Sequence, residues 1–234
     1  MDPRYYSDFA DSLYGVVFFI ANFIFYNQSG YFDLASQVKP LQHTWSLAIE
    51  EQFYLIYPCL ILILFSIQKN KKFFTLLIIF LVLFVLSVVE SSKNYSSAFY
   101  LIQFRAWELL AGGLIAFYFL ENDKILNNLW INNILSLFGM LAICISVVNF
   151  DQYSNNNGLI TLMPIIGTCL VIIFCRYNTI LYNLLSRKFL VYTGLASYSA
   201  YLLHKPIFSF VWIETDGDLE IYHTRQLQMN YENF

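Results

Sequence analysis

Long apolar blocks separated by short polar loops organise this chain. A helix needs about 20 apolar residues, at 1.5 Å each, to cross the hydrocarbon core of a bilayer. Seven segments approach that length: 13–26, 45–67, 73–89, 100–120, 131–150, 159–174 and 189–213. The pattern predicts an all-α fold, a polytopic transmembrane helix bundle of about seven membrane segments. The first segment is short and reads as a tilted or partly interfacial helix. The fourth and seventh carry polar residues within their apolar runs. No internal repeat and no soluble-domain boundary is visible. Residues 1–213 read as one membrane domain. Residues 214–234 turn polar, acidic and aperiodic, the composition of a disordered tail.

Composition agrees with a membrane setting. The 234 residues are 58% hydrophobic and 12% charged, with 23 Phe and 18 Tyr, whereas soluble domains carry about 25% charged residues. The lipid bilayer is therefore the first expected partner. No basic stripe with interleaved aromatics is present, so nucleic acid is not expected as a partner. Cys59, Cys144, Cys169 and Cys175 lie in or beside apolar segments without metal-ligand spacing. They read as small apolar fillers, with no metal, no bound cofactor and no disulfide expected. Residues 1–12 lack the basic start of a signal peptide, so the first apolar segment must target itself unless something upstream is lost. With the N-terminus cytoplasmic, the inside loops hold Arg4, then Lys69, Lys71 and Lys72, then Lys124, then Arg176, Arg187 and Lys188. The outside holds Lys39 and Lys93, with Arg105 at a helix mouth and an Asn/Gly turn at 155–158. This bias places 43–46 and 105–108 on the outer side of a cell membrane.

Three polar clusters interrupt the apolar blocks. In the first, His43, Ser46, Glu50, Phe53 or Tyr54, and Tyr57 recur at steps of three or four, on one helical stripe. A carboxylate in hydrocarbon costs about 2.5–3.5 kcal/mol even on mild scales, so it is retained where it meets a partner, water or a substrate. Glu50 reads either as an orienting or basic carboxylate or as a structural interhelical contact. Glu51 lies about 100° around the helix and reaches the interface. His43 reads as a base or as a helix cap. In the second cluster, Arg105 and Glu108 are three apart and can pair. They serve either to bind phosphate or carboxylate or as a self-satisfied ion pair. Gly112 and Gly113 permit close approach, and Trp107 reads as an interfacial anchor. In the third, Ser197, Tyr201 and His204 share a face, and Pro206 cannot donate to the carbonyl of Leu202, which predicts a kink. A polar cavity and a plain bundle contact both fit. No Gly-rich phosphate loop, HExxH or GxSxG elbow occurs.

At these clusters the chain resembles the acyltransferase 3 family of bacterial membrane O-acyltransferases. The resemblance is carried by His43-Thr-Trp-Ser-Leu-Ala-Ile-Glu-Glu-Gln-Phe-Tyr54, Arg105-Ala-Trp-Glu-Leu109 and Ser197-Tyr-Ser-Ala-Tyr-Leu-Leu-His204. Ser29-Gly-Tyr-Phe-Asp33 with Lys39-Pro-Leu is similar to the branch that O-acetylates lipopolysaccharide or other surface glycans. The likeness runs from about residue 12 to 208. It implies a multi-pass protein of the bacterial inner membrane. The implied reaction moves an acyl group, acetyl from acetyl-CoA, to a hydroxyl of a cell-envelope glycan such as lipopolysaccharide O-antigen. It implies catalytic parts for Glu50 (orienting), Arg105 (charge stabiliser or donor-phosphate contact) and His204 (a secondary polar part). It implies substrate-binding parts for His43, Trp45, Ser46, Glu108, Ser197 and Tyr201. Family members resemble bundles of about ten helices whose first helices carry an Arg and a His held to be catalytic. Those parts, and the hydrolase-like domain that often follows, have no counterpart here. The expectation is an N-terminally truncated member, with little activity alone and with a partner chain supplying the missing helices. A catalytically inactive membrane subunit and a small transporter are the alternative readings.

Overall fold

The computed structural model describes residues 3–29, 39–66, 69–121, 128–149 and 157–214. Every regular element among them is a helix, as the apolar blocks predict. In chain order these are α1 (Pro3–Val17), α2 (Ala21–Gln28), a 3-10 turn (Gln42–Thr44), α3 (Trp45–Phe65), α4 (Lys69–Lys93), α5 (Tyr95–Tyr100), α6 (Ile102–Glu121), α7 (Leu129–Asn149), α8 (Asn157–Ile160), α9 (Leu162–Phe174), α10 (Ile180–Leu185) and α11 (Lys188–Glu214). Gly30–Asp33 of the lead-in, residues 155–156 of the turn and the tail from 215 lie outside the described residues.

Among the described residues, three helical stretches are long and apolar enough to cross a membrane: Gln42–Phe65, Lys71–Lys93 and Leu129–Asn149. This is fewer than the seven expected. The first predicted segment divides into α1 and α2, because Phe19 adopts a left-handed φ of 54° that a helix cannot continue. Helix α9 has 13 residues, about 20 Å of rise. Helices α6 and α11 have the length, but polar side chains interrupt their apolar surface.

Local sequence explains the other breaks. Asn94 caps α5 by accepting from the Ser97 N–H at 3.2 Å, satisfying one of the orphan donors of a helix start. Thr179 caps α10 in the same way through Tyr182 N–H. The preceding Asn178 is left-handed, with φ 71°, a conformation Asn tolerates better than most residues.

The chain forms two compact units. One is drawn from residues 1–48 and 196–234, the other from 49–195. In the first unit α1 packs on α2, and α2 on the 3-10 turn. The second unit has a core of Leu64, Leu76, Leu110 and Phe117, extended by Phe53, Tyr57 and Leu60 of α3 and Phe73, Phe80 and Leu83 of α4. Helices α4 and α6 pack together, as do α7 and α9. Helix α7 turns Asn132, Ser136, Gly139, Ala142 and Ser146 inward. Its large residues Ile134, Phe138, Leu141, Ile145 and Val148 stay exposed, the inverse of a water-soluble helix and the usual arrangement where lipid is the solvent.

Candidate functional site

Polar chemistry in the first unit collects where the 3-10 turn meets α11. His43 is buried, with 8% of its surface exposed. The Thr44 hydroxyl donates to the Leu41 carbonyl at 2.6 Å, which steadies the turn. The Tyr201 hydroxyl donates to the main-chain carbonyl of His43 at 2.6 Å. A phenol has one hydrogen. With that hydrogen engaged, the 2.7 Å contact between Ser46 Oγ and Tyr201 Oη is completed by Ser46 donating. The carbonyl of His43 lies 3.3 Å from Ser46 Oγ and offers a longer alternative acceptor.

The rings form a compact group. His43 meets Tyr201 edge-on at a centroid separation of 5.2 Å and His204 edge-on at 5.3 Å. His204 Nδ1 donates to the Tyr201 carbonyl at 2.6 Å. Neither ring nitrogen of His43 has a hydrogen-bond partner of standard geometry, although carbonyls of Pro40 and Leu202 approach the ring. The second of these follows from sequence. Pro206 has no N–H to offer the carbonyl four residues back, so Leu202 keeps a spare acceptor on the side of α11 near His43. Helix α11 continues through Pro206. Thus His43, Ser46, Tyr201 and His204 come together, from the first and third sequence clusters. Trp45 begins α3, and Ser197 sits on an exposed stretch of α11.

The second unit holds the remaining predicted site residues. Arg105 and Glu108 form the expected i,i+3 pair, with side chains 16% and 26% exposed. The Arg105 guanidinium also lies over the Phe99 ring, 5.3 Å from its centroid, a cation–π contact that orients its plane. Glu50 is half-buried, and among the described residues it makes neither an ion pair nor a hydrogen bond.

Two readings of this region are corrected. Trp107 is no interfacial anchor. It is fully buried, edge-on to Phe84 at 4.9 Å and to Phe80 at 6.0 Å, with its indole N–H unpartnered. Its place on the α4-facing side of α6 outweighs its preference for an interface. Of the two glycines, only Gly113 meets a close neighbour among the described residues. A Cβ there would lie 2.8 Å from the Tyr57 hydroxyl, whereas one on Gly112 would meet nothing within 4 Å. Tyr57 donates to the Gly113 carbonyl at 3.3 Å, a link its position on the Glu50 stripe foreshadows. Among the described residues no three metal-ligating side chains gather.

An all-helical chain with apolar spans and internal imidazole, hydroxyl, carboxylate and guanidinium groups defines a membrane protein with polar sites. The family described as an acyltransferase domain matches residues 12–217, and the chain belongs to that acyltransferase 3 family. It is 32% identical over 171 residues to an uncharacterized protein of Haemophilus influenzae, covering 69% of each chain. It is 33% identical over 208 residues to the peptidoglycan O-acetyltransferase OatA of Listeria monocytogenes, covering 81% of this chain and 32% of that one. It is 31% identical over 206 residues to the O-acetyltransferase OatA of Staphylococcus aureus, covering 83% of this chain and 34% of that one. The chain thus spans about a third of the length of these two O-acetyltransferases. No solved structure matches it.

Proposed function

We propose that this chain acts in O-acetylation of a bacterial cell-envelope glycan, as a multi-pass protein of the inner membrane with about seven membrane segments. The observation that carries the reading is the gathering of His43, Ser46, Tyr201 and His204 in a chain of this family. Acyl transfer to a hydroxyl needs a group to take the hydroxyl proton and donors to stabilise the oxyanion of the tetrahedral intermediate. Imidazoles and hydroxyls supply the first need. Arg105, held by Glu108 and Phe99, has the charge for the second, or for a donor phosphate. Glu50 takes a supporting, orienting part. Peptidoglycan is the first acceptor to examine, because the Listeria relative is named for it, and lipopolysaccharide the second. Acetyl-CoA is the proposed acyl donor.

The test is acetate released by mild base from purified glycans of a bacterium with and without this chain. Peptidoglycan acetate that falls on deletion and returns on re-expression is the expected result. Unchanged acetate in both peptidoglycan and lipopolysaccharide refutes the reading.

A further inference from the structure

Two cations of the second unit sit on aromatic rings at one end of its helices. Helix α3 ends at Phe65, α4 begins at Lys69, α6 ends at Glu121 and α9 ends at Phe174. Lys72 Nζ lies over the Phe65 ring, 4.6 Å from its centroid. Next in sequence, Phe73 meets Tyr118 of α6 at a ring separation of 6.3 Å, and Tyr118 meets Phe119 at 6.2 Å. The Arg176 guanidinium lies over Phe119, 5.8 Å from its centroid, and its Nε donates to the Ile173 carbonyl at 3.1 Å. The rings thus link the end of α3, the start of α4 and the ends of α6 and α9 into one rim. The positive-inside bias puts these same ends on the cytoplasmic side, and the ring contacts join them without reference to charge.

We propose that this rim binds the headgroup of an anionic phospholipid of the cytoplasmic leaflet, with Arg176 and Lys72 as its phosphate-holding cations. Both are half-buried, and among the described residues neither has a carboxylate at ion-pair distance, in contrast to Arg105 with Glu108. Both are also held in place, since a ring lies beneath each. The main-chain bond of Arg176 occupies its Nε and leaves the Nη donors for a phosphate. The occupant is an amphiphile, because Phe65 and Phe74 beside these cations are 65% and 64% exposed. Acyl chains cover such rings, and a water-soluble phosphate does not. A zwitterionic headgroup brings its own ammonium against Lys72 and Arg176, so a net negative lipid fits better. Each Lys or Arg at a membrane surface strengthens attraction to such lipid about fivefold. The proposal rests on the membrane placement of the chain and not on the acetyl-transfer reading, so either can fail alone.

Native mass spectrometry of the full chain, released from detergent micelles, measures the lipid it retains. The probes are phosphatidylglycerol and phosphatidylcholine with the same acyl chains. The unsubstituted chain is expected to hold phosphatidylglycerol roughly 25-fold more tightly, the product of two fivefold effects. Equal retention of the two lipids overturns the proposal. Arg176→Gln and Lys72→Gln are each expected to weaken phosphatidylglycerol binding about fivefold. Lys93→Gln, at the opposite end of α4, is expected to leave it unchanged. No loss in the first two variants, or the same loss in all three, overturns the proposal. Inorganic phosphate in excess is expected to leave the bound lipid in place, and its displacement makes the rim a site for soluble anions instead. The comparison of lipids needs no variant, and Lys72→Gln carries the test of the rim if Arg176→Gln does not accumulate.

Discussion

Glu50 and the Arg105–Glu108 pair show how differently charge is handled within one small helical unit. Arg105 and Glu108 neutralise each other along one helix face, and Phe99 covers the guanidinium. Glu50 has no such compensation among the described residues. An uncompensated acid in an apolar segment costs stability, so replacing it with its neutral isostere relieves that cost and removes whatever the charge does. Glu50→Gln is therefore expected to insert and accumulate at least as well as the unsubstituted protein. Glycan acetylation is expected to fall by roughly 100-fold, the low end of what a positioned carboxylate contributes. Membrane protein levels by immunoblot and base-released acetate check the two halves separately, and normal acetylation would remove Glu50 from the mechanism. The residue types of both clusters were legible in the sequence, because polar groups at helical spacing stand out in an apolar background. The union of His43 and Ser46 with Tyr201 and His204 was not. Helical spacing reports only which residues of one helix share a face, and this contact joins residues 158 apart.

Helices follow the same division between local and long-range signals. The apolar blocks located α3, α4, α6, α7, α9 and α11 to within a few residues, because a long run of apolar residues has little alternative to a helix in lipid. The break between α1 and α2 was hidden, since Phe19 is no turn residue and yet takes a left-handed φ. The glycines of α7 and α9 were equally silent in sequence. A Cβ on Gly139 would lie 2.6 Å from the Gly167 carbonyl oxygen, and one on Gly167 would lie 2.7 Å from that of Gly139. The obstacle is backbone on both sides, so a side chain cannot rotate away. Gly139→Ala is expected to cost about 1–3 kcal/mol, as overpacking does. Gly112→Ala, with open space around it, is expected to be neutral or to gain up to about 1 kcal/mol from helix propensity. Thermal unfolding in detergent compares the two, and equal midpoints would show that α7 and α9 do not touch.

For the whole molecule, sidedness in the membrane follows from the positive-inside bias. Single cysteines replacing Lys71 or Arg187 in a chain freed of its own four cysteines are expected to resist a membrane-impermeant maleimide in intact cells. A cysteine replacing the exposed Lys93 is expected to react. The reverse pattern inverts the topology, and labelling on both sides of α4 shows that it does not span. The division into two units also orders events in time. The unit 49–195 is a continuous stretch, whereas the other unites the beginning of the chain with its end. The Tyr201 hydroxyl cannot reach His43, 158 residues earlier, until α11 has been translated. At about 5–20 residues per second, that leaves the carbonyl of His43 waiting roughly 8–30 s for its donor. The site that gathers both histidines is therefore completed during biogenesis only after the helices between its two halves have been made.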